Sequence, residues 1–235
     1  MNEQISQFME IIGYQFRDES LLITALTHSS FANEKHMPPH SDNERLEFLG
    51  DAVLELVSSR FLYLNYPNMD EGELSKLRAS LVCEPTLAFS CKEIRLGEFV
   101  RLSKGEDLTG GRERKSILSD AFEACIGAIY LDGGIEPAEA FVKKFVLNDI
   151  EHKQLFYDSK TKLQEVVQAN FVDKVEYILV SESGPDHAKE FEIKAMCGKR
   201  VLGKGIGGTK KAAEQEAAYE ALVMFYKEGL IKPSK

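Results

Sequence analysis

The hydrophobic pattern changes period once along this chain, and that change limits the folds open to it. Up to about residue 150 the apolar side chains recur three and four positions apart, the spacing of amphipathic helices. Beyond residue 159 one helical stretch gives way to Val175-Glu-Tyr-Ile-Leu-Val and Phe191-Glu-Ile-Lys-Ala-Met-Cys197, which alternate as half-buried strands do. A third strand near residues 199–203 and an alanine-rich helix from Thr209 complete an αβββα order. The pattern predicts an all-α domain over residues 4–150, a polar linker over 151–158 and a small α+β domain over 159–228.

Local signals punctuate the helical part. Ser41-x-x-Glu44 and Asp70-x-x-Glu73 have the form of capping boxes, Pro67 stops one helix and Pro85 opens another. Gly133-Gly134 closes the helix that begins near Ser116.

Charge divides along the same boundary. The net charge of −9 resolves into 16 Lys and Arg against 26 Asp and Glu before Asp158, and 13 against 12 from there onward. An acidic first domain argues against a basic nucleic-acid coat protein, while a whole-chain sum hides the near-neutral second domain. Cys83, Cys91, Cys125 and Cys197 have neither disulfide-framework nor zinc-finger spacing, which fits a reducing, cytoplasmic setting. No apolar run approaches the roughly 20 residues of a membrane span, and the first residues lack the character of a signal peptide.

Two helical segments carry acids where acids cost energy. Glu44, Glu47 and Asp51 fall on one stripe, and Asp120 and Glu123 interrupt the apolar run from Ile117 to Leu131. Solvated helix faces are the plainer explanation, and charge spacing alone favours it. Two details weigh against it. Asp51 and Glu55 follow Glu47 and Asp51 at the fourth position, where a lysine or arginine would form the usual intrahelical pair. Gly50 and Gly127 sit mid-helix beside the acids although each costs up to about 1 kcal/mol relative to alanine. Small residues there would let two helices approach until Glu47, Asp51, Asp120 and Glu123 converge. Converged carboxylates need a counter-charge, and all-oxygen donors favour Mg2+, with Mn2+ as a substitute, over zinc.

In the second domain, Lys210-Lys211 opens the last helix, where cations oppose the macrodipole unless an anion lies in front of them. Gly203, Gly205 and Gly208 match Gly-x-Gly-x-x-Gly formally, but no parallel strand follows to complete a βαβ unit. A nucleotide cofactor is therefore not expected, and the glycines read as a strand-to-helix turn.

Asn43-Glu-Arg-Leu-Glu-Phe-Leu-Gly-Asp51 resembles the signature of the bacterial ribonuclease III family. The resemblance continues through Ala25-Leu-Thr-His-Ser-Ser30, the stretch from Asp70 to Arg78, and Asp120-Ala-Phe-Glu123 into a double-stranded-RNA-binding domain. It implies a magnesium-dependent endoribonuclease with Glu47, Asp51, Asp120 and Glu123 as metal ligands and catalytic roles for Asp51, Glu123, Glu44 and Glu71, the last two in support. It implies a homodimer in which Phe48 plugs into the partner, and duplex products with 5′-phosphates, 3′-hydroxyls and short 3′ overhangs. For the second domain it implies RNA contacts from Thr161, Gln164, Glu165, Gln168, the hairpin residue His187, and Lys210 with Lys211. Glu214 departs from the family's common Lys-Lys-x-Ala-Lys pattern. Two rivals are a phosphodiesterase for another nucleic acid, disfavoured by the A-form-reading module, and a non-catalytic RNA binder, disfavoured by the intact set of acids.

Overall fold

The computed structural model describes residues 2–184 and 189–231. It divides into two compact units, Met1–Asn148 and Asp149–Lys235. In the first, helices α1 (Asn2–Ile12), α2 (Glu19–Ala25), α3 (Ser29–Glu34), α4 (Glu44–Asn65), α5 (Glu71–Val82), α6 (Glu84–Glu93), α7 (Lys104–Leu108), α8 (Lys115–Gly133) and α9 (Ile135–Phe145) follow one another. Short 3-10 turns at Leu96–Glu98 and Gly111–Glu113 join the middle ones.

Helix α8 is the core of this unit. Its apolar side chains from Ile117 to Ile129 are buried against α2, α4, α6 and α9, as expected for a helix apolar nearly all round. The Phe122 and Phe141 rings meet at 5.2 Å. Asp132 near its end accepts hydrogen bonds from the Tyr14 hydroxyl at 2.7 Å and from the Arg17 and Asp18 amides at 3.1 and 2.9 Å. Gly134 then ends the helix with a positive φ of 88°, a conformation that glycine adopts without a Cβ clash.

The Asp70 capping box forms in both directions, and Pro85 lies in the first turn of α6. The Ser41 box does not form. Helix α4 begins at Glu44 with Asn43 as its N-cap, because the Asn43 amide donates to the Thr27 carbonyl at 2.9 Å and its own carbonyl accepts the first helical bond from Glu47 at 2.8 Å.

The second unit comprises α10 (Ile150–Tyr157), α11 (Ser159–Asn170), β1 (Val175–Ser183), β2 (Glu190–Cys197), β3 (Arg200–Gly207) and α12 (Lys210–Lys227). The stretch expected as a linker, 151–158, is thus mostly helical. The Gln215 side-chain amide donates to the Phe156 and Tyr157 carbonyls at 2.7 and 2.5 Å, and the Phe156 ring meets Tyr219 edge-on at 5.3 Å. Tertiary partners on α12 give this segment an order that its polar sequence does not advertise.

The strands form an antiparallel sheet in the order β1-β2-β3. Leu163, Val167, Ile193, Ala195, Leu202, Leu222 and Phe225 build the core between the sheet and α11 with α12. Of the three glycines expected at a strand-to-helix turn, Gly208 lies in the bend between β3 and α12 as expected, whereas Gly203 and Gly205 do not. Gly203, Gly205 and Gly207 lie within the strand and face α12, where an added Cβ would overlap the Ala217 and Ala213 carbonyl oxygens and stand 2.8 Å from the Ala213 amide nitrogen. Alternating glycines meet the alanines of the helix backbone to backbone.

Candidate active site

The acids of α4 and α8 meet where these helices cross. Gly50 and Gly127 face each other: a Cβ on Gly50 would overlap the Glu123 carbonyl oxygen, and one on Gly127 would overlap that of Leu46. No side chain larger than hydrogen fits at either point without separating the helices. The crossing sets Glu47 and Asp51 of α4 beside Asp120 and Glu123 of α8.

Their electrostatics register this proximity. Glu123 is pushed up from its ordinary 4.5 to about 8, first by burial and then by the Asp51, Glu47 and Asp120 carboxylates. Glu47 is raised by burial and then by Asp120, Glu44 and Asp51. Burial and the Glu84 carboxylate raise Asp120, against smaller opposing effects of His28 and the Ser119 hydroxyl. Among the described residues no lysine or arginine forms an ion pair with any of the four.

Among the described residues no three Asp, Glu, His or Cys side chains stand close enough to enclose an ion. The four acids therefore share a patch and repel one another without having closed into a ligand shell. Hard oxygen donors, half-buried at Glu47, Asp120 and Glu123 and exposed at Asp51, with no lysine or arginine paired to them among the described residues, nevertheless suit a divalent cation such as Mg2+, which keeps part of its water shell and needs only one or two carboxylates directly.

The remaining expected acids separate. Glu44 lies one turn before Glu47 and acts on it. Glu71 stands apart, accepting a hydrogen bond from Ser75 Oγ at 2.9 Å and lining an apolar groove of about 640 Å³ with Leu56, Tyr63, Met69, Leu74 and Arg78. Phe48, on α4, is 81% exposed.

Sequence reasoning missed two acids and a cation. Glu55 adds to the repulsion that raises Glu123, and its place one turn after Asp51 was the available signal. Arg78 Nε reaches Glu55 at 2.8 Å and its Nη1 donates to Ser59 Oγ at 2.7 Å. Glu84 acts on Asp120 from α6, a contact that no spacing along the chain foretells.

In the second unit Thr161, Gln164 and Gln168 line a pocket of about 350 Å³ with Lys160, Lys174, Val175 and Tyr177. Glu165 on the same helix pairs with Lys162 at 3.4 Å. Thr209 caps α12 by accepting from the Ala212 amide at 3.1 Å, which places Lys210 and Lys211 in its first turn. Lys210 Nζ lies 5.7 Å from the Phe191 ring centre. His187 falls outside the described residues.

An all-helical unit with a carboxylate patch, followed by an αβββα unit with lysines opening its last helix, defines a class: a nuclease domain joined to a reader of duplex RNA. The family model described as Ribonuclease-III-like matches residues 18–150, and the double-stranded RNA binding motif matches 159–223. The chain is 50% identical over 227 residues to Ribonuclease 3 of Bacillus licheniformis, covering 96% of this chain and 91% of that one. It is likewise 50% identical over 222 residues to Ribonuclease 3 of Bacillus cereus, with 94% and 91% coverage. A crystal structure of the nuclease domain of ribonuclease III from Campylobacter jejuni matches with a TM-score of 0.55 at 45% identity, covering 60% of this chain and 92% of that one. A second structure of that domain, whose description refers to a region involved in dimer formation, matches with a TM-score of 0.57 at 45% identity, covering 60% and 95%. The chain belongs to the ribonuclease III family and is an endoribonuclease of double-stranded RNA. No helix among the described residues is long and apolar enough to cross a membrane.

Proposed function

We propose that this chain hydrolyses double-stranded RNA in a Mg2+-dependent reaction, leaving 5′-phosphate and 3′-hydroxyl ends with short 3′ overhangs. Glu47, Asp51, Asp120 and Glu123 hold the metal, and Glu44 supports Glu47. The observation that carries this reading is the Gly50–Gly127 crossing, which gathers four carboxylates with no lysine or arginine paired to them among the described residues. A bound divalent ion would activate water and stabilise charge at phosphorus. The water oxygen bonds to phosphorus, the bond from phosphorus to O3′ breaks, and O3′ leaves with a proton. That balance yields the stated ends.

The chain's own part is to orient and to hold. The rigid α4–α8 contact fixes the acids on two helices rather than on loops. The second domain supplies affinity: Lys210 and Lys211 clamp phosphates, while Thr161, Gln164, Glu165 and Gln168, with the hairpin carrying His187, follow the minor grooves of an A-form duplex by shape and 2′-hydroxyls. The acidity of residues 1–157 makes that help necessary, since the first domain alone repels a polyanion.

We further propose a homodimer, each subunit cutting one strand, in which the exposed Phe48 ring enters the partner. Glu71 supports cleavage, standing away from the four acids within one chain. A cytoplasmic enzyme processing ribosomal and other structured RNA precursors fits this chemistry. The test is incubation with a long RNA duplex, a matched DNA duplex and single-stranded RNA, each with Mg2+ or chelator. Only the RNA duplex with metal is cut. Replacing Glu123 with alanine abolishes that cleavage yet spares duplex binding in Ca2+; full activity in this variant removes Glu123 from the mechanism.

A further inference from the structure

The start of α11 is tied to the first turns of α12 by a set of polar contacts. Ser159 Oγ donates to the Gln215 carbonyl at 2.9 Å, and the Gln215 side-chain amide reaches back to the Phe156 and Tyr157 carbonyls. Between these ties, Lys160 Nζ donates to Glu214 Oε2 at 2.5 Å and lies 4.9 Å from the centre of the Tyr177 ring. The ammonium thus has a carboxylate on α12 and an aromatic face on β1 as partners. Burial, and then the Glu214 carboxylate, push the Tyr177 phenol up to about 12.

The junction stands between the two regions assigned to duplex contact. Lys210 and Lys211 lie one turn before Glu214 on α12, and Thr161 and Gln164 follow Lys160 on α11. A tie that sets one helix against the other therefore also sets the spacing between the two contact regions. Glu214 occupies a position where another cation would be the simpler way to add affinity for a polyanion, yet its charge is already committed to Lys160.

We propose that Glu214 is a positioning residue for duplex recognition, which anchors Lys160 against Tyr177 and so fixes the contact face of α11 relative to Lys210 and Lys211. The proposal rests on the second domain being the duplex binder. It makes a counter-intuitive prediction. Glu214→Lys, which adds a cation beside a polyanion's path, should weaken binding, because it sets two ammonium groups against each other at the junction.

The experiment measures the affinity of the full chain for an RNA duplex in Ca2+ across a salt series, with circular-dichroism melting to verify folding. Glu214→Gln should weaken binding about threefold, in keeping with a half-exposed pair. Glu214→Lys should weaken it about tenfold. The charge swap, Lys160→Glu with Glu214→Lys, should return affinity to within about threefold of the parent, whereas loss of a generic fold contact would not be rescued by reversing both charges. Tighter binding by Glu214→Lys with a salt slope steeper by about one phosphate contact overturns the proposal, since it would place position 214 against the backbone of the RNA. Parent-like binding by the folded Glu214→Gln variant overturns it as well. Failure of the parent itself to prefer RNA over DNA duplex would instead overturn the duplex-binding reading on which the proposal rests.

Discussion

Both units of this chain use glycine to bring two backbones into contact, and they treat charge there in opposite ways. At Gly50 and Gly127 two helices touch, and among the described residues the acids gathered beside them have no lysine or arginine partner. At Gly203, Gly205 and Gly207 a strand touches an alanine-lined helix, and nearby Lys160 and Glu214 neutralise each other. The same packing device creates an electrostatic vacancy in one unit and a satisfied scaffold in the other. Unneutralised charge at a rigid contact is the mark of a site awaiting a ligand, whereas neutralised charge marks a frame that presents contacts elsewhere.

The comparison breaks most visibly at the glycines. Gly50→Ala should lower stability by about 2–3 kcal/mol, or about 5–10 °C in melting temperature, and should take cleavage with it, because helix separation disperses the acids. Gly205→Ala should cost similar stability in the second domain while leaving the carboxylate patch in place, so the deficit appears in duplex affinity. Melting curves, with cleavage and binding measured separately, check both. Equal loss of cleavage per bound duplex in the two variants would erase the distinction.

A smaller effect concerns the lysines. Lys210→Ala with Lys211→Ala should weaken duplex binding and flatten the dependence of log affinity on log salt by about one unit per lost phosphate contact, so that the deficit shrinks as salt rises. An unchanged slope would show that these lysines do not touch phosphates.

The pH dependence of the metal-free chain sharpens the other side. Folded Glu123 keeps its proton to about pH 8, while unfolded Glu123 ionises near its ordinary 4.5. Ionisation of the unfolded chain therefore erodes stability as pH rises from about 4.5 to about 8, with no further loss from this group above that. In chelator, Glu123→Gln should melt higher than the parent at pH 8, by about 3 °C or more, with the gap closing towards pH 5. A gap independent of pH would mean that the Glu123 carboxyl is not raised. The smallest expected effect is at Tyr177, whose buried hydroxyl has no hydrogen-bond partner among the described residues. Tyr177→Phe keeps the ring under Lys160 and should leave the melting temperature unchanged or raised by about 1–2 °C.

Much of this arrangement was legible in the sequence because its causes are local. The Asp70 capping box and the first-turn proline of α6 are set by residues within one turn. The stacked acids with mid-helix glycines pointed to a close helix contact before any coordinates. What escaped depends on partners distant in sequence. Ser41 looked like a helix cap, but the Asn43 amide's bond to Thr27 fixes where α4 starts. Residues 151–158 read as linker, since the aromatic and amide partners that order α10 lie on α12. Gly203 and Gly205 read as part of a turn because their use, to admit Ala213 and Ala217, is written in another element. Glu84 at the acid patch is of the same kind.

Titrating Mn2+ into the chain and into an Asp120→Asn, Glu123→Gln double variant, with free ion followed by electron paramagnetic resonance, bears most directly on the carboxylate patch. The parent should take up Mn2+ at a saturable site that Mg2+ displaces, and the variant, still folded, should lose it. Identical uptake by both proteins would contradict the assignment of these acids as the metal's holders.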